Sequence, residues 1–432
     1  MNLASMLILG NMRKSSASTT STANASSLTN HGSVAFRRVY IWISIGNGAT
    51  TQAVFFLLAG LAVLRAEDPQ AVGLQLAAQS LPALALLLLV RSAASKFNFR
   101  SALVLSLWLQ AASAIIFGII SLVFGYNLVS ALIMSLVYAT ASTVQAPGRR
   151  TVMADLYPEE VRRRAISSIT AYSNGARLVA PAAAGFALAT GYWQVWFILD
   201  AVVCVVAALL SSRAIKLLNI SQKENLGKEG ETGWSPTLNT RSVRAFLVAF
   251  AAVCVFGFNI QVIAPLAARD LLNGAEEYAG LIVSSHTLGS LLGAVLVARA
   301  DRHLRGCYAG GSVLLGLGLI AFVIPSNAME TMILVCSLIA GVGRGLTLTA
   351  SSTMASTWGE STVFRERLIA LTSIIFTASN LVSAGIISMS LALGSSTLTL
   401  WVCGAGSVAA GLCAMMMRSK WDSENRSEPS GP

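Results

Sequence analysis

The chain alternates long apolar segments with short polar turns along most of its length. Segments long enough to cross a bilayer fall into two sets of six. The first set covers residues 37–64, 69–92, 101–124, 127–148, 165–189 and 193–214, and the second covers 244–268, 276–299, 306–325, 329–355, 367–393 and 395–417. A membrane-spanning helix needs roughly 20 mostly apolar residues. The pattern therefore predicts an all-α membrane protein with twelve transmembrane helices.

The composition supports this interpretation and excludes other classes of protein. Of the 432 residues, 55% are hydrophobic and 11% are charged. Because a soluble domain carries about 25% charged residues, the chain is not a water-soluble enzyme. The net charge of +11 is spread along the chain rather than gathered in one patch. We therefore predict a lipid bilayer as the surroundings and no nucleic acid as a partner.

The basic residues sort to one side of the membrane when the N-terminus is placed in the cytoplasm. All 30 Lys and Arg residues except four then fall in the tails and the cytoplasmic loops. Arg65 and Arg269 lie in outer loops, and Arg177 and Arg344 lie inside spans. Cytoplasmic loops are enriched in Lys and Arg. This distribution favours twelve spans in the plasma (inner) membrane, with both termini in the cytoplasm.

Polar segments divide the chain into five predicted parts. The Ser/Thr-rich start should be a disordered tail rather than a signal peptide, because its charges follow its short apolar stretch. Residues 287–305 align without gaps on 81–99, a weak internal symmetry typical of duplicated transporter halves. The predicted parts are a cytoplasmic tail (1–36), a six-helix bundle (37–214), a linker (215–243), a second six-helix bundle (244–418) and a second cytoplasmic tail (419–432).

Two stretches carry motifs of a known family. The fifth span follows Asn-x-x-Arg-x-x-Gly-Pro-x-x-x-Gly, with Ala for the first Gly, at Asn174, Arg177, Ala180, Pro181 and Gly185. The second stretch contains Pro265, Tyr278, Gly280, Gly289, Gly293, Asp301 and Arg302. Over about residues 36–418 the chain resembles the major facilitator superfamily, and its enterobactin-exporter-like or transmembrane secretion effector branch in particular. The resemblance implies a monomer of two pseudo-symmetric six-helix bundles.

The loop between spans two and three departs from the signature of that superfamily, Gly-x-Leu-Ala-Asp-Arg-x-Gly-Arg-Arg. Ser95 stands where the Asp belongs, and Lys96 replaces the Arg. The corresponding loop of the second half keeps its acidic and basic pair. The resemblance therefore implies a gate with a weakened first half; the alternative is that these charges only set the topology. The gating candidates are Lys96, Arg100, Pro181, Asp301 and Arg302.

Polar groups at bilayer depth are the candidates for solute contact, because charges there face a cavity, another helix or a partner charge. Two arginines near mid-span suit bidentate contact with carboxylate, catecholate or phosphate groups. The alternatives are an Arg177–Asp200 pair, an Arg344 that bonds backbone carbonyls near its flanking glycines, and, for the amides, hydrogen bonds between helices. The predicted solute-binding residues are Arg177, Arg344, Asn47, Gln52, Asn174, Asn259, Gln261 and Asn380. Asp200 and His286 are the candidates for proton coupling, although either one could be structural.

The function that these features favour is secondary active transport by alternating access. No phosphate-binding loop, metal-ligand cluster or nucleophile–base pair is visible, and the six cysteines lack ligand spacing. We therefore predict no enzymatic activity, no metal and no cofactor. The branch resemblance implies export of a small siderophore-like or drug-like solute, which the arginines allow to be anionic. The alternatives are an uptake permease for an organic anion and a non-transporting receptor or assembly protein on the same scaffold.

Overall fold

A computed structural model describes residues 23–65, 70–93, 99–156, 176, 179–217, 241–299, 303–324, 328–357, 362–393 and 395–427. These residues form helices joined by short turns. The first half contains α1 (Ala23–Arg65), α2 (Gln70–Ala93), α3 (Phe99–Phe124), α4 (Leu128–Leu156), α5 (Val179–Ala189) and α6 (Trp193–Leu217). The second half contains α7 (Arg241–Gly257), α8 (Ile260–Asp270), α9 (Glu276–Arg299), α10 (Leu304–Ile320), α11 (Met329–Thr357), α12 (Thr362–Ala392) and α13 (Ser396–Ser427).

The helices have the length and surface that a bilayer requires. In the described residues, ten stretches are long and apolar enough to cross a membrane, and α5 is a shorter apolar helix. Large apolar side chains cover the outside of α3, among them Leu105, Ile116, Val123 and Phe124. Helices satisfy their own backbone hydrogen bonds, so they can present such a surface to lipid. The predicted all-α fold is confirmed, since each of the twelve predicted spans contains a described helix.

The seventh predicted span differs from expectation, because it consists of two helices. Phe258 and Asn259 separate α7 from α8, and the backbone N–H groups of Val262 and Ile263 both donate to the Asn259 carbonyl. Gly257 weakens the helix just before the break. Pro265 lies inside α8, where its ring disfavours a regular helix over the preceding turn. The break therefore follows from local sequence, although hydropathy alone predicts one continuous span.

Several helices extend beyond the predicted apolar segments. Helix α1 begins at Ala23, inside the predicted tail, α4 continues to Leu156, and α13 continues to Ser427. Once a helix is nucleated, each added residue gains one backbone hydrogen bond, which about offsets the entropy lost by fixing that residue. A polar extension without proline can therefore stay helical past the membrane boundary. The extension of α4 matters most, because it carries Arg149 on a helix rather than in a loop.

Small residues allow the helices of the second half to approach closely. A methyl group added at Gly318 of α10 would lie 2.7 Å from the Ala340 backbone nitrogen of α11. One added at Gly411 of α13 would lie 2.8 Å from a Val313 methyl carbon of α10. Gly289 and Gly341 form a similar seam between α9 and α11, each facing backbone atoms of the other helix. Such small-residue seams allow membrane helices to pack through van der Waals contact without a hydrophobic driving force.

Candidate functional site

The second half places a cation beside an aromatic ring near the middle of the fold. Arg344 lies on α11 about 22 Å from its start, at 1.5 Å per residue. Its guanidinium carbon is 5.3 Å from the centroid of the Phe258 ring, at the break between α7 and α8. The Phe376 ring of α12 lies 5.9 Å from the same ring. Because an aromatic face attracts a guanidinium, the Phe258 ring holds the Arg344 cation at the break, and Phe376 of α12 packs on that ring.

Three predicted amides lie on the helix segments that carry these rings. Asn259 directly follows Phe258 and is buried, and its Nδ2 donates to the Val255 carbonyl at 2.8 Å. Gln261 is half-buried on the first turn of α8. Asn380 is half-buried one turn beyond Phe376, so the two residues share a face of α12. Asn259 and Gln261 thus lie at the break, Arg344 contacts Phe258 there, and Asn380 lies one turn from the Phe376 ring that packs on Phe258. We call Arg344, Phe258, Asn259, Gln261, Phe376 and Asn380 the broken-helix cluster.

The first half contains a separate polar network that links α1, α3, α4 and α6. The guanidinium of Arg149 donates to the side-chain oxygens of Asn47 and Gln145, and to the Ser44 carbonyl at 3.2 Å. Asn47 Nδ2 in turn donates to Cys204 Sγ at 3.1 Å. Gln145 Nε2 donates to Gln110 Oε1 on α3. Asn47 is fully buried and occupied by these partners, so its position favours the helix-to-helix alternative over solute contact.

This network ends at a buried carboxyl group. Tyr138 on α4 donates its hydroxyl to Asp200 Oδ2 at 2.9 Å. The thiol of Cys204, one turn along α6, faces the same oxygen at 3.8 Å and Gln110 Oε1 at 3.6 Å. Tyr138, Asp200 and Cys204 are all fully buried. We call the chain of contacts from Asp200 through Cys204 and Asn47 to Arg149 the polar ladder.

Two of the four ladder residues, Arg149 and Cys204, were not among the predicted site residues. The distribution of basic residues placed Arg149 in a cytoplasmic loop, and Cys204 was noted only as a cysteine without ligand spacing. In the structure, Arg149 donates to Asn47, and Cys204 Sγ accepts a hydrogen bond from Asn47. The spacing of Gln145 and Arg149, four residues apart in helical register, is a signal that could have identified the cation. No comparable signal marks Tyr138, because an aromatic residue in an apolar segment is ordinarily core.

The remaining predicted residues divide into described and undescribed ones. Gln52 is half-buried on α1, and His286 is fully buried on α9, with both ring nitrogens lacking a hydrogen-bond partner in the described part of the chain. Pro181 is buried on α5, where its carbonyl faces Gly280. The residues that lie outside the described residues are Lys96, Asn174, Arg177, Asp301 and Arg302, together with the side chain of Arg100.

The two halves touch at the end of the molecule where α1 leads into α2, which we call the turn side. Arg269 donates to the Val63 carbonyl at 2.8 Å. Arg65 forms an ion pair with Glu276 at 3.2 Å. Helix α2 also packs on α12, where a methyl group added at Gly73 would lie 2.6 Å from Ser388 Cβ. These contacts join α1 to α8 and α9, and α2 to α12, across the halves.

The closest of the turn-side contacts joins α5 to α9 through two glycines. A methyl group added at Gly185 would lie 2.6 Å from both the Cα and the backbone nitrogen of Gly280. One added at Gly280 would lie 2.9 Å from Gly185 Cα and would also meet the Pro181 carbonyl. Both glycines and Pro181 belong to the motifs of the sequence analysis. Together these contacts hold the halves together on the turn side.

Comparison with known proteins defines the class to which this arrangement belongs. The profile of the Major Facilitator Superfamily matches residues 40–266 and 245–432. The chain belongs to this superfamily. It is therefore a multi-pass membrane transporter of the major facilitator type, whose solute crosses the bilayer. No curated protein matches the sequence.

Solved structures agree on the fold. The nucleoside transporter NupG has a TM-score of 0.66 and 11% identity, with 89% of this chain and 99% of that chain covered. A peptide transporter POT in complex with sulfate has a TM-score of 0.67 and 13% identity, covering 88% and 94%. A POT family transporter in complex with 5-aminolevulinic acid has a TM-score of 0.67 and 11% identity, covering 88% and 96%. At these identities, the likeness concerns the fold alone.

Proposed function

We propose that the protein is a secondary active exporter of a small organic solute, with the two six-helix bundles rocking about a site at the broken-helix cluster. The observation that carries this proposal is the position of Arg344, near mid-span and beside the helix break. A guanidinium at that depth is costly and ordinarily serves a cavity, a partner or a substrate. The solute would bind there while one side of the membrane is closed.

The chemistry of the cluster favours an anionic or electron-rich solute with an aromatic part. The guanidinium offers paired N–H donors for a carboxylate or catecholate, and Phe258 and Phe376 offer apolar faces beside it. The amides of Gln261 and Asn380 add donors and acceptors for orientation. A catecholate siderophore fragment satisfies all of these requirements. This agrees with the enterobactin-exporter-like branch that the motifs resemble.

A binding screen tests the solute class. The purified protein is heated in detergent with catechol, citrate, benzoate or ethidium, and its unfolding is followed. A ligand at a hundred times its Kd stabilises a protein by about 2.7 kcal/mol, so a specific ligand is readily detected. We expect stabilisation by benzoate, which is an anionic aromatic compound, and by catechol, which is a neutral aromatic diol, and not by the cation ethidium.

A matched pair of arginine variants tests whether the ligand binds at the broken-helix cluster. Arg344→Gln should weaken binding by about 10- to 150-fold, since a hydrogen bond to a charged group contributes about 1.5–3 kcal/mol. Arg213→Gln, at an exposed position on α6, should leave binding unchanged. Equal affinity in both variants would rule out Arg344 as a solute contact.

Vesicle orientation tests the direction of transport. If the protein exports, a labelled ligand from the screen accumulates in inside-out vesicles under a proton gradient. Accumulation confined to right-side-out vesicles would instead indicate an uptake permease. A non-transporting receptor predicts a third result, in which Arg344→Ala leaves the cellular phenotype intact and truncation of the tails abolishes it.

A further inference from the structure

Asp200 differs in position from the other acidic residues of the candidate spans. Asp270, Glu276, Glu277 and Glu330 all lie within two residues of a span end. Asp200 lies about 10 Å into α6 from Trp193 at 1.5 Å per residue, and its side chain is fully buried. An acid inside a membrane bundle is expensive and usually functional. The groups around Asp200 therefore indicate whether the protein stabilises the ionised carboxylate or the protonated carboxylic acid.

The contacts of Asp200 suit both a carboxylate and a carboxylic acid. Oδ2 accepts the Tyr138 hydroxyl at 2.9 Å, which favours the charged form. Oδ1 is buried and has no hydrogen-bond partner among the described residues, which leaves this oxygen free to carry a proton. No ion pair within 4.0 Å involves Asp200 in the described ranges. Among the described residues, an ionised carboxylate there has no cation within 4.0 Å, the close partner that a permanent buried charge requires.

The positive charge that compensates an ionised Asp200 belongs to Arg149, which the polar ladder connects to the carboxyl group. Among the described residues, the titratable or charged groups that act on Asp200 are Tyr138 and Arg149 from α4 and Cys204 from α6 itself. The groups that α1 and α3 place beside the ladder, Asn47, Thr50 and Gln110, are neutral. Arg177, the other cation predicted at this depth, lies outside the described residues.

We infer that Asp200 is the proton-exchanging site of the transporter and that the polar ladder links its charge to Arg149. In the unprotonated state, the carboxylate and the guanidinium balance each other through Asn47 and Cys204. When a proton binds to Oδ1, the ladder carries one net positive charge and the attraction between Asp200 and Arg149 is lost. Since α1, α4 and α6 share the ladder, this change alters how tightly three helices of the first half are held. The inference rests on the proposed function, because the proton would drive the solute.

Asp200 is a better candidate for this role than His286. The two nitrogens of His286 are also buried and without a described partner. However, no hydrogen bond of the described residues connects the His286 ring to a second helix. Asp200, in contrast, is connected through Cys204 and Asn47 to the guanidinium of Arg149.

Infrared spectroscopy tests the inference without any solute. The full-length protein in lipid nanodiscs is titrated from alkaline to acidic buffer, and the C=O stretch of protonated carboxyl groups is recorded. We expect one reversible band from an unsolvated carboxyl that Asp200→Asn removes and that Asp270→Asn, at the turn side, retains. The inference is overturned if no such band titrates, or if Asp200→Asn leaves it in place.

A tyrosine pair provides a second test that does not depend on the folding of the Asp200 variant. Tyr138→Phe removes the hydrogen bond to Oδ2 and should shift the frequency of the band. Tyr126→Phe is the control, since the Tyr126 hydroxyl is buried without a described partner in the turn between α3 and α4. Equal frequencies in the two variants would contradict the assignment. Because neither measurement uses a transported compound, a negative binding or vesicle experiment would count against the proposed function and not against the proton site.

Discussion

The contact between Gly185 and Gly280 leads to a sharp prediction about the conformational equilibrium. In Gly280→Ala, the added methyl group would lie 2.9 Å from Gly185 Cα and 3.0 Å from Ala182 Cα, both of which belong to the rigid backbone of α5. Helices α5 and α9 must therefore separate on the turn side. If the bundles part there during transport, the same methyl group is relieved in the turn-open state. The substitution therefore destabilises only the turn-closed state, in which α5 and α9 are in contact.

The magnitude follows from the cost of overpacking. Inserting a methyl group into a well-packed contact costs about 1–3 kcal/mol. Because this cost is lost when the turn side opens, the ratio of turn-open to turn-closed molecules should rise by about 5- to 150-fold. An equal penalty in both states would leave the ratio unchanged. The expected change is therefore one in the free-energy difference between the turn-open and turn-closed states, and not in the free energy of unfolding.

A single reporter cysteine makes this opening visible. The six native cysteines are replaced, and Ser388→Cys is introduced at the α2–α12 contact beside Gly73, away from the substituted glycine. The rate of reaction with a membrane-impermeant maleimide, added on the turn side, reports how often that side opens. Gly310→Ala is the matched control, because a methyl group there has no neighbour within 4 Å. A labelling rate equal to that of the control would refute the role assigned to the two-glycine contact.

Three further predictions concern charge and packing. Arg65→Ala should raise the same labelling rate by about fivefold or less, since an exposed ion pair contributes about 0.2–1 kcal/mol. The double exchange Arg65→Glu with Glu276→Arg should restore the original rate. If it does not, the ion pair does not stabilise the turn-closed state. Gly341→Ala should lower the midpoint temperature of unfolding in detergent, because the added methyl group would clash with the α9 backbone at His286. Such a clash costs about 1–3 kcal/mol. An unfolding midpoint as high as that of Gly310→Ala would argue against close packing of α9 on α11. High salt should speed the turn-side labelling of the Ser388→Cys reporter chain and not that of the same chain carrying Arg65→Ala, because salt screens exposed charges.

The sequence alone was sufficient for the fold class. Each predicted span contains a described helix, and the family profile covers both halves. Hydropathy is a local property, and the bilayer requires a long apolar helix wherever the chain crosses it. Arg344, Asn259, Gln261 and Asp200 were likewise identifiable, because a polar group in an apolar run is conspicuous without knowledge of its neighbours. Their roles and the distribution of the termini across the membrane stay predictions.

The partners of these residues depend on the tertiary structure. Arg344 meets Phe258 only because the seventh span breaks there, and Tyr138 meets Asp200 only because α4 and α6 present those faces to each other. Arg149 belongs to the ladder because α4 continues past its apolar segment. The rotation of a helix about its axis and its height beside a neighbour are set by packing. Contacts such as that of Gly185 with Gly280 decide this packing over long sequence separations. Local pattern specifies which groups enter the membrane, and the docking of small residues decides which of them meet.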